Sequence, residues 1–220
     1  MINRNEQLEL AKLAEQAKRY PDMIVAMRKI IEMDGELTDE ERNLFSISYK
    51  QVVIAYRLAW RTLSEVVQDV ENSEFQREIA KKYQKTIKIE LMESCNEVLT
   101  LLNRYLNPKA RTSESKMFYL KMKGDYNRYL TEVANSDDRQ RFAEESERAY
   151  SDGFEIAKTH TRVTNPMRLS LALSLSVFYF EILNKKHIAC CLAKEAFDDG
   201  FRGLAELDGE AYRGNYLNSY

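Results

Sequence analysis

Residues Asn165–Glu181 read NPMRLSLALSLSVFYFE, and two periodicities compete there. Leu169, Leu171, Leu173, Leu175 and Val177 alternate with Ser170, Ala172, Ser174 and Ser176, which is the period of a strand. Against that, Asn165 followed by Pro166 is a helix cap with proline at the first helical position, where a missing N–H costs nothing. The segment is long for a strand and rich in Leu, Ala and Met, all good helix formers. The reading is therefore a helix over about 166–183. Small residues along one side let such a helix pack closely on a neighbour.

Outward from this segment, the chain reads as helices throughout. Residues 3–18 carry Leu8, Ala11 and Leu13 on one side, and Arg19, Tyr20 and Pro21 break the run. A second helix holds Met23, Met27, Ile30 and Ile31 and ends near Met33, before a turn at Asp34-Gly35. Thr38 with Glu41 three residues on is a capping box that opens a long helix to about Val70. Ile79, Tyr83, Ile87, Leu91, Cys95, then Val98 or Leu99, then Leu102 recur at steps of three and four, and Pro108 ends that helix. Helices follow over about 113–134, 136–160 and 188–203, with a last one from about Glu210. The aromatic residues Trp60, Phe118, Tyr119, Phe178, Tyr179 and Phe180 read as core, and so do Cys95 and Cys190.

Composition agrees. The 220 residues include 7 Gly and 3 Pro, where ordinary usage gives about 15 and about 11. So little turn punctuation excludes sandwiches, barrels and Gly-rich nucleotide loops. Lys and Arg total 33 against 35 Asp and Glu, a net charge of -2. No basic excess marks a general nucleic-acid binder. The 3 Cys form no C-x-x-C, and His160 and His187 are isolated in sequence, so neither a metal site nor a disulfide framework is expected, and no cofactor. Cys191 reads as exposed, with neither histidine beside it by pattern. The N-terminus MINRNEQLEL holds no apolar signal core, and no apolar run is long enough to span a membrane. The expected compartment is reduced, cytoplasmic or nuclear. The expected fold is all-α: one domain over 1–220 with eight to nine antiparallel helices.

Two charge patterns stand out. Lys50 and Arg57 are seven residues apart on one long helix, so both project to one side. Lys121 and Arg128 repeat the spacing on another helix, and Tyr129 follows directly. Asp125 and Glu132 lie within a turn of these cations and are placed to hold them. Two readings remain open at this level. The pairs are solvated ion-pair faces, or they converge on an anion. A phosphoserine, with about -1.5 to -2 charges and three acceptor oxygens, suits two Arg forks and a Tyr hydroxyl better than a carboxylate does.

The segments RNLFSISYKQVV (Arg42–Val53) and ESKMFYLKMKGDYNRYLTEVA (Glu114–Ala134) resemble signatures of the 14-3-3 family. AKLAEQAKRYPDM, NPMRLSLALSLSVFYFEILN and ACCLAKEAFDDG are similar to the same family, in the expected order. The resemblance spans about residues 5–212. It implies a cup-shaped helical protomer with a concave groove, dimerising through its first four helices and binding phosphoserine or phosphothreonine peptides of client proteins. On this resemblance Lys50, Arg57, Arg128 and Tyr129 match the phosphate pocket, and Lys121 a further groove lysine. Leu173 and Val177 match apolar groove residues, and Glu181 a groove acid. Arg19, Asp22, Tyr83 and Glu90 match dimer contacts, with Leu13 and Ala17 as the apolar part of a homo- or heterodimer edge.

This chain departs from the family pattern in three places. Ser174 stands where the family has an Asn that bonds the ligand backbone with both ends of its amide, and a hydroxyl reaches less far. The last segment reads YRGNYLNSY where the family continues through an apolar run to an Asn and a Trp, so the last helix is expected to be atypical or truncated. At the dimer edge, Thr86 replaces the lysine that answers Asp22, and Lys18 stands where an acid is common. Leu58 and Ala59 replace small hydroxyl residues, one of them a phosphorylation switch in some relatives. The resemblance thus implies a non-catalytic phosphopeptide adaptor. The alternative is a divergent scaffold of the same fold that recognises unphosphorylated partners. No sequence motif supports an enzyme.

Overall fold

The computed structural model describes residues 3–33 and 35–217, with side chains as far as residue 205. Among the described residues the regular structure is helical, with no strand. Eight α-helices run in chain order: α1 (Arg4–Gln16), α2 (Tyr20–Glu32), α3 (Asp39–Gln68), α4 (Glu74–Leu101), α5 (Ser113–Val133), α6 (Ser136–His160), α7 (Pro166–Glu181) and α8 (Lys186–Leu217). The backbone groups into two compact units. One is the chain up to Ala110 together with Glu132–Arg139. The other is Arg111–Thr131 together with the chain from Gln140 onward.

In the first unit α1 packs on α2, α2 on α3, and α3 on α4. Met23, Met27, Ile30 and Ile31 of α2 are buried, as are Phe45, Tyr49 and Val53 of α3. The apolar stripe of α4 is buried only in part. Ile87, Leu91, Cys95, Val98 and Leu102 lie inside, whereas Ile79 and Tyr83 are exposed. The helix expected to run to Pro108 changes gauge first, with a π-helical turn at Leu102–Leu106 and a 3-10 turn at Asn107–Lys109. Proline has no N–H for the α-helical ladder, so the regular bonding cannot continue through it.

The capping box opening α3 forms as read. Thr38 Oγ1 accepts from the Glu41 backbone N–H at 3.2 Å, and Glu41 Oε2 accepts from the Thr38 N–H at 2.8 Å. Arg4 of α1 adds two bonds to the same carboxylate, both at 2.8 Å. Burial pushes the Glu41 carboxyl up, but Arg4 and Thr38 together outweigh it and hold the group below its ordinary value. A depressed carboxyl contributes stability above its unfolded value, about 4.3, and loses it as pH falls through the folded value. Urea unfolding of the wild type and Glu41→Gln is therefore expected to diverge most near neutrality. The gap should shrink between about pH 5 and about pH 3, and a constant gap contradicts the linkage.

In the second unit α7 is a helix, as its cap predicted. Asn165 Oδ1 accepts from the Met167 and Arg168 N–H groups at 2.9 and 3.2 Å. Leu171, Leu175 and Phe178 are buried with Met117, Ala143, Tyr150 and Ala157. Leu173, two positions from each buried leucine, is 62% exposed. α7 packs on α8. The two last helices expected from sequence are one: α8 runs unbroken through Gly209. A single glycine costs a helix about 1 kcal/mol and does not end it without a proline or cap. The side chains of the atypical segment from Tyr212 lie outside the described residues.

Several side chains differ from their sequence reading. Cys190 and Phe180 are exposed, not core, because they lie on the open side of α8 and at the end of α7. Cys191 has a histidine neighbour after all: His187, one turn back on α8, brings Nε2 to 3.7 Å from its sulfur. No described helix is long and apolar enough to cross a membrane.

Candidate functional site

The residues singled out by charge divide between the two units. Lys50 and Arg57 lie on α3 in the first, and Lys121, Arg128 and Tyr129 on α5 in the second.

In the first unit Lys50 is exposed. Arg57 is held by Glu132: its Nε donates to Oε2 at 3.1 Å, and Nη2 donates to Oε1. Arg61, one turn further along α3, reaches the same carboxylate at 3.2 Å. Spacing along α5 had suggested Glu132 as a partner for Arg128. It serves the cations of α3 instead, since a bidentate fork on a carboxylate is a stronger arrangement than an i,i+4 surface pair.

In the second unit Asp125 organises the cations. Lys121 Nζ donates to Oδ2 at 2.7 Å. Tyr150 of α6 donates its hydroxyl to Oδ1 at 2.6 Å. Arg128 donates from Nε to the Tyr150 oxygen at 3.3 Å. The terminal nitrogens of Arg128 are held more loosely, Nη2 at 3.8 Å from Asp125 and Nη1 at 3.6 Å from Glu181. Both separations exceed a hydrogen bond, so the outer edge of the guanidinium keeps donors for an anion. The side chain is only 12% exposed, and its charge centre lies 4.8 Å from the Tyr129 ring. Burial pushes the Arg128 pKa down, but Tyr150, Tyr129 and Asp125 raise it further. The cation therefore persists at every physiological pH. Burial, then Asp125, raise the Tyr150 phenol, which keeps its proton on the bond to Asp125.

Beside this cluster α7 and α8 form an open apolar groove of about 230 Å³. Leu173, Val177, Phe180, Glu181 and Cys190 are among its walls. Ser174 is half-buried and falls on the same helical face as Val177 and Glu181. Leu173 also opens onto a second apolar hollow of about 370 Å³ with Phe197 and Phe201 of α8.

At the expected dimer edge, in the first unit, Leu13 and Tyr83 are exposed and so is Ala17. Glu90 is half-buried. Arg19 pairs with Asp22 within its own chain, which gives Asp22 a local partner in place of the missing lysine. Among the described residues no group of three His, Cys, Asp or Glu side chains is arranged to hold a metal.

Sequence reasoning did not find Tyr150, Arg61 or the true partner of Glu132. Tyr150 did leave a trace on another helix: Gly124 interrupts α5 in the middle of KMKGDYNRY. A glycine inside a helical pattern marks a close approach.

The chain matches the family profile described as 14-3-3 protein over residues 10–217. It is 49% identical to 14-3-3-like protein 2 of Caenorhabditis elegans, over 97% of this chain and 86% of that protein. It is 50% identical to 14-3-3 protein zeta of Bombyx mori, over 98% and 87%. It is also 49% identical to human 14-3-3 protein beta/alpha, over 98% and 88%.

Proposed function

The chain belongs to the 14-3-3 family, a family of non-catalytic adaptors, and we propose that it exerts its adaptor role by binding phosphoserine or phosphothreonine segments of client proteins. Lys50, Arg57, Arg128 and Tyr129 receive the phosphate, and Lys121 is a further groove lysine. Leu173, Ser174, Val177 and Glu181 receive the flanking peptide. Leu13, Ala17, Arg19, Asp22, Tyr83 and Glu90 pair with a second copy or a relative, and two linked sites then gain avidity for doubly phosphorylated clients.

The single observation behind this reading is the state of Arg128. Its inner nitrogen is tied to Tyr150 at 3.3 Å, while its outer nitrogens stand 3.6 and 3.8 Å from carboxylates. Arg4, by contrast, closes a fork on Glu41 with both nitrogens at 2.8 Å. At Arg128 the cation is oriented and only partly engaged, which suits an oxyanion with several acceptors. The adjoining apolar groove suits the peptide on either side of the phosphate.

Titration calorimetry with one peptide in phosphorylated and unphosphorylated forms tests the reading. The phosphorylated form is expected to bind at least about 100-fold more tightly, since each charge-assisted bond contributes about 1.5–3 kcal/mol. Equal affinities defeat it and favour a scaffold for unphosphorylated partners.

A further inference from the structure

The α5–α6 contact is built around one side chain. Ser146 and Tyr150, one turn apart on α6, straddle Gly124 of α5. Ser146 Oγ donates to the Gly124 carbonyl at 2.9 Å. The Tyr150 ring lies so close that a Cβ on Gly124 would fall 2.5 Å from ring carbons Cδ1 and Cε1. A side chain of any size at 124 therefore displaces the ring. Tyr150 is fully buried, and its ring packs 6.0 Å from that of Phe178. A ring wedged in this way has one place for its hydroxyl. That place is between Asp125 Oδ1, to which it donates at 2.6 Å, and Arg128 Nε, from which it accepts at 3.3 Å.

Three residues of α5 thus converge on one phenol. Gly124 admits the ring, Asp125 takes its proton, and Arg128 gives its inner N–H to the oxygen. The consequence for Arg128 is geometric. With Nε fixed, the planar guanidinium cannot rotate freely: Nη2 stands 3.8 Å from Asp125 and Nη1 3.6 Å from Glu181. Asp125 alone does not do this, since it stands 3.8 Å from Arg128 and is occupied by Lys121 at 2.7 Å.

We propose that Tyr150 is a positioning residue for the phosphate site: through Nε it fixes the plane of the Arg128 guanidinium, so that both terminal nitrogens are preorganised for the phosphate. This rests on the phosphopeptide reading, and it adds a residue that touches no ligand itself. Preorganisation raises affinity by removing the cost of ordering a long side chain at the moment of binding.

Tyr150→Phe removes one oxygen and keeps the ring, and Asp125 keeps Lys121. Two measurements test this, the first on Tyr150→Phe, Arg128→Ala and the double variant, the second on Tyr150→Phe and Gly124→Ala. The first is calorimetry with a phosphoserine peptide. Tyr150→Phe is expected to weaken binding about tenfold in the wild-type background and by nothing further in the Arg128→Ala background. Equal losses in both backgrounds mean that Tyr150 does not act through Arg128, which overturns the proposal. The second is the Nε–Hε resonance of Arg128 in the ligand-free protein. It is expected to be protected from solvent exchange in the wild type and unprotected in Tyr150→Phe. Gly124→Ala, which displaces the ring and leaves the hydroxyl in the sequence, is expected to lose the same protection. An Nε–Hε signal unchanged by both variants also overturns the proposal. If the wild-type chain binds no phosphopeptide, the functional reading fails, while this resonance still decides what Tyr150 does to Arg128.

Discussion

Replacing Arg128 with alanine is expected to weaken phosphoserine-peptide binding by about thirty-fold or more and to leave the fold in place. The magnitude separates two roles. A cation in a solvated ion pair contributes about 0–1 kcal/mol, at most about fivefold in affinity. Truncating one partner of a desolvated charge pair costs about 2–5 kcal/mol. Arg128, only 12% exposed and packed against the Tyr129 ring, is of the second kind. The fold survives because no partner is orphaned. Asp125 keeps Lys121 and the Tyr150 hydroxyl, and Glu181 is exposed. Arg128→Lys keeps the charge but loses the planar fork and the bond to Tyr150, so an intermediate loss is expected. Arg57→Ala is expected to behave like Arg128→Ala, with Glu132 retaining Arg61. Calorimetry with one peptide across the three variants, beside their unfolding curves, checks this. Affinity unchanged in both alanine variants sinks the pocket.

How far the sequence reveals this molecule depends on the range of the interaction concerned. Caps are local, and they were legible: Thr38 with Glu41 and Asn165 with Pro166 do in the structure what their spacing implies. Helical faces were legible where a neighbour covers them. Ile87, Leu91, Cys95 and Val98 are buried at the steps that marked them, but Ile79 and Tyr83 continue the same stripe into solvent. Periodicity gives the direction of a side chain, not whether anything lies opposite. The charged partners were least legible. The spacing within α5 gave Asp125 its bond from Lys121 correctly and gave Glu132 the wrong partner, because a carboxylate follows the best fork within reach and Arg57 is 75 positions away. Tyr150 was invisible for the same reason: its bonds to Asp125 and Arg128 cross 25 and 22 positions. The break expected near Glu210 failed differently. No cap or proline lies between Gly203 and Glu210 to enforce a stop.

The second large effect is on stability, and it bears on the segment whose period was ambiguous. Phe178→Ala is expected to destabilise the protein by about 3–5 kcal/mol. Phe178 is fully buried, and its ring packs 6.0 Å from both Tyr150 and Tyr179. Removing it deletes the transfer term and leaves a cavity in a core that α5, α6 and α7 share. Against a typical total of about 5–15 kcal/mol, such a loss is visible as a fall in the unfolding midpoint of roughly 6–20 °C for a chain of this size. Leu171→Ala and Leu173→Ala then separate helix from strand. In a strand, residues 171, 173 and 175 share a face, and both substitutions cost alike. In the helix, 171, 175 and 178 share the buried face, and Leu173 is 62% exposed. Leu171→Ala is therefore expected to cost about 2–5 kcal/mol and Leu173→Ala about 0.5 kcal/mol or less. Equal losses at 171 and 173, read by urea unfolding, contradict the helical packing of this segment and the apolar groove wall built on it.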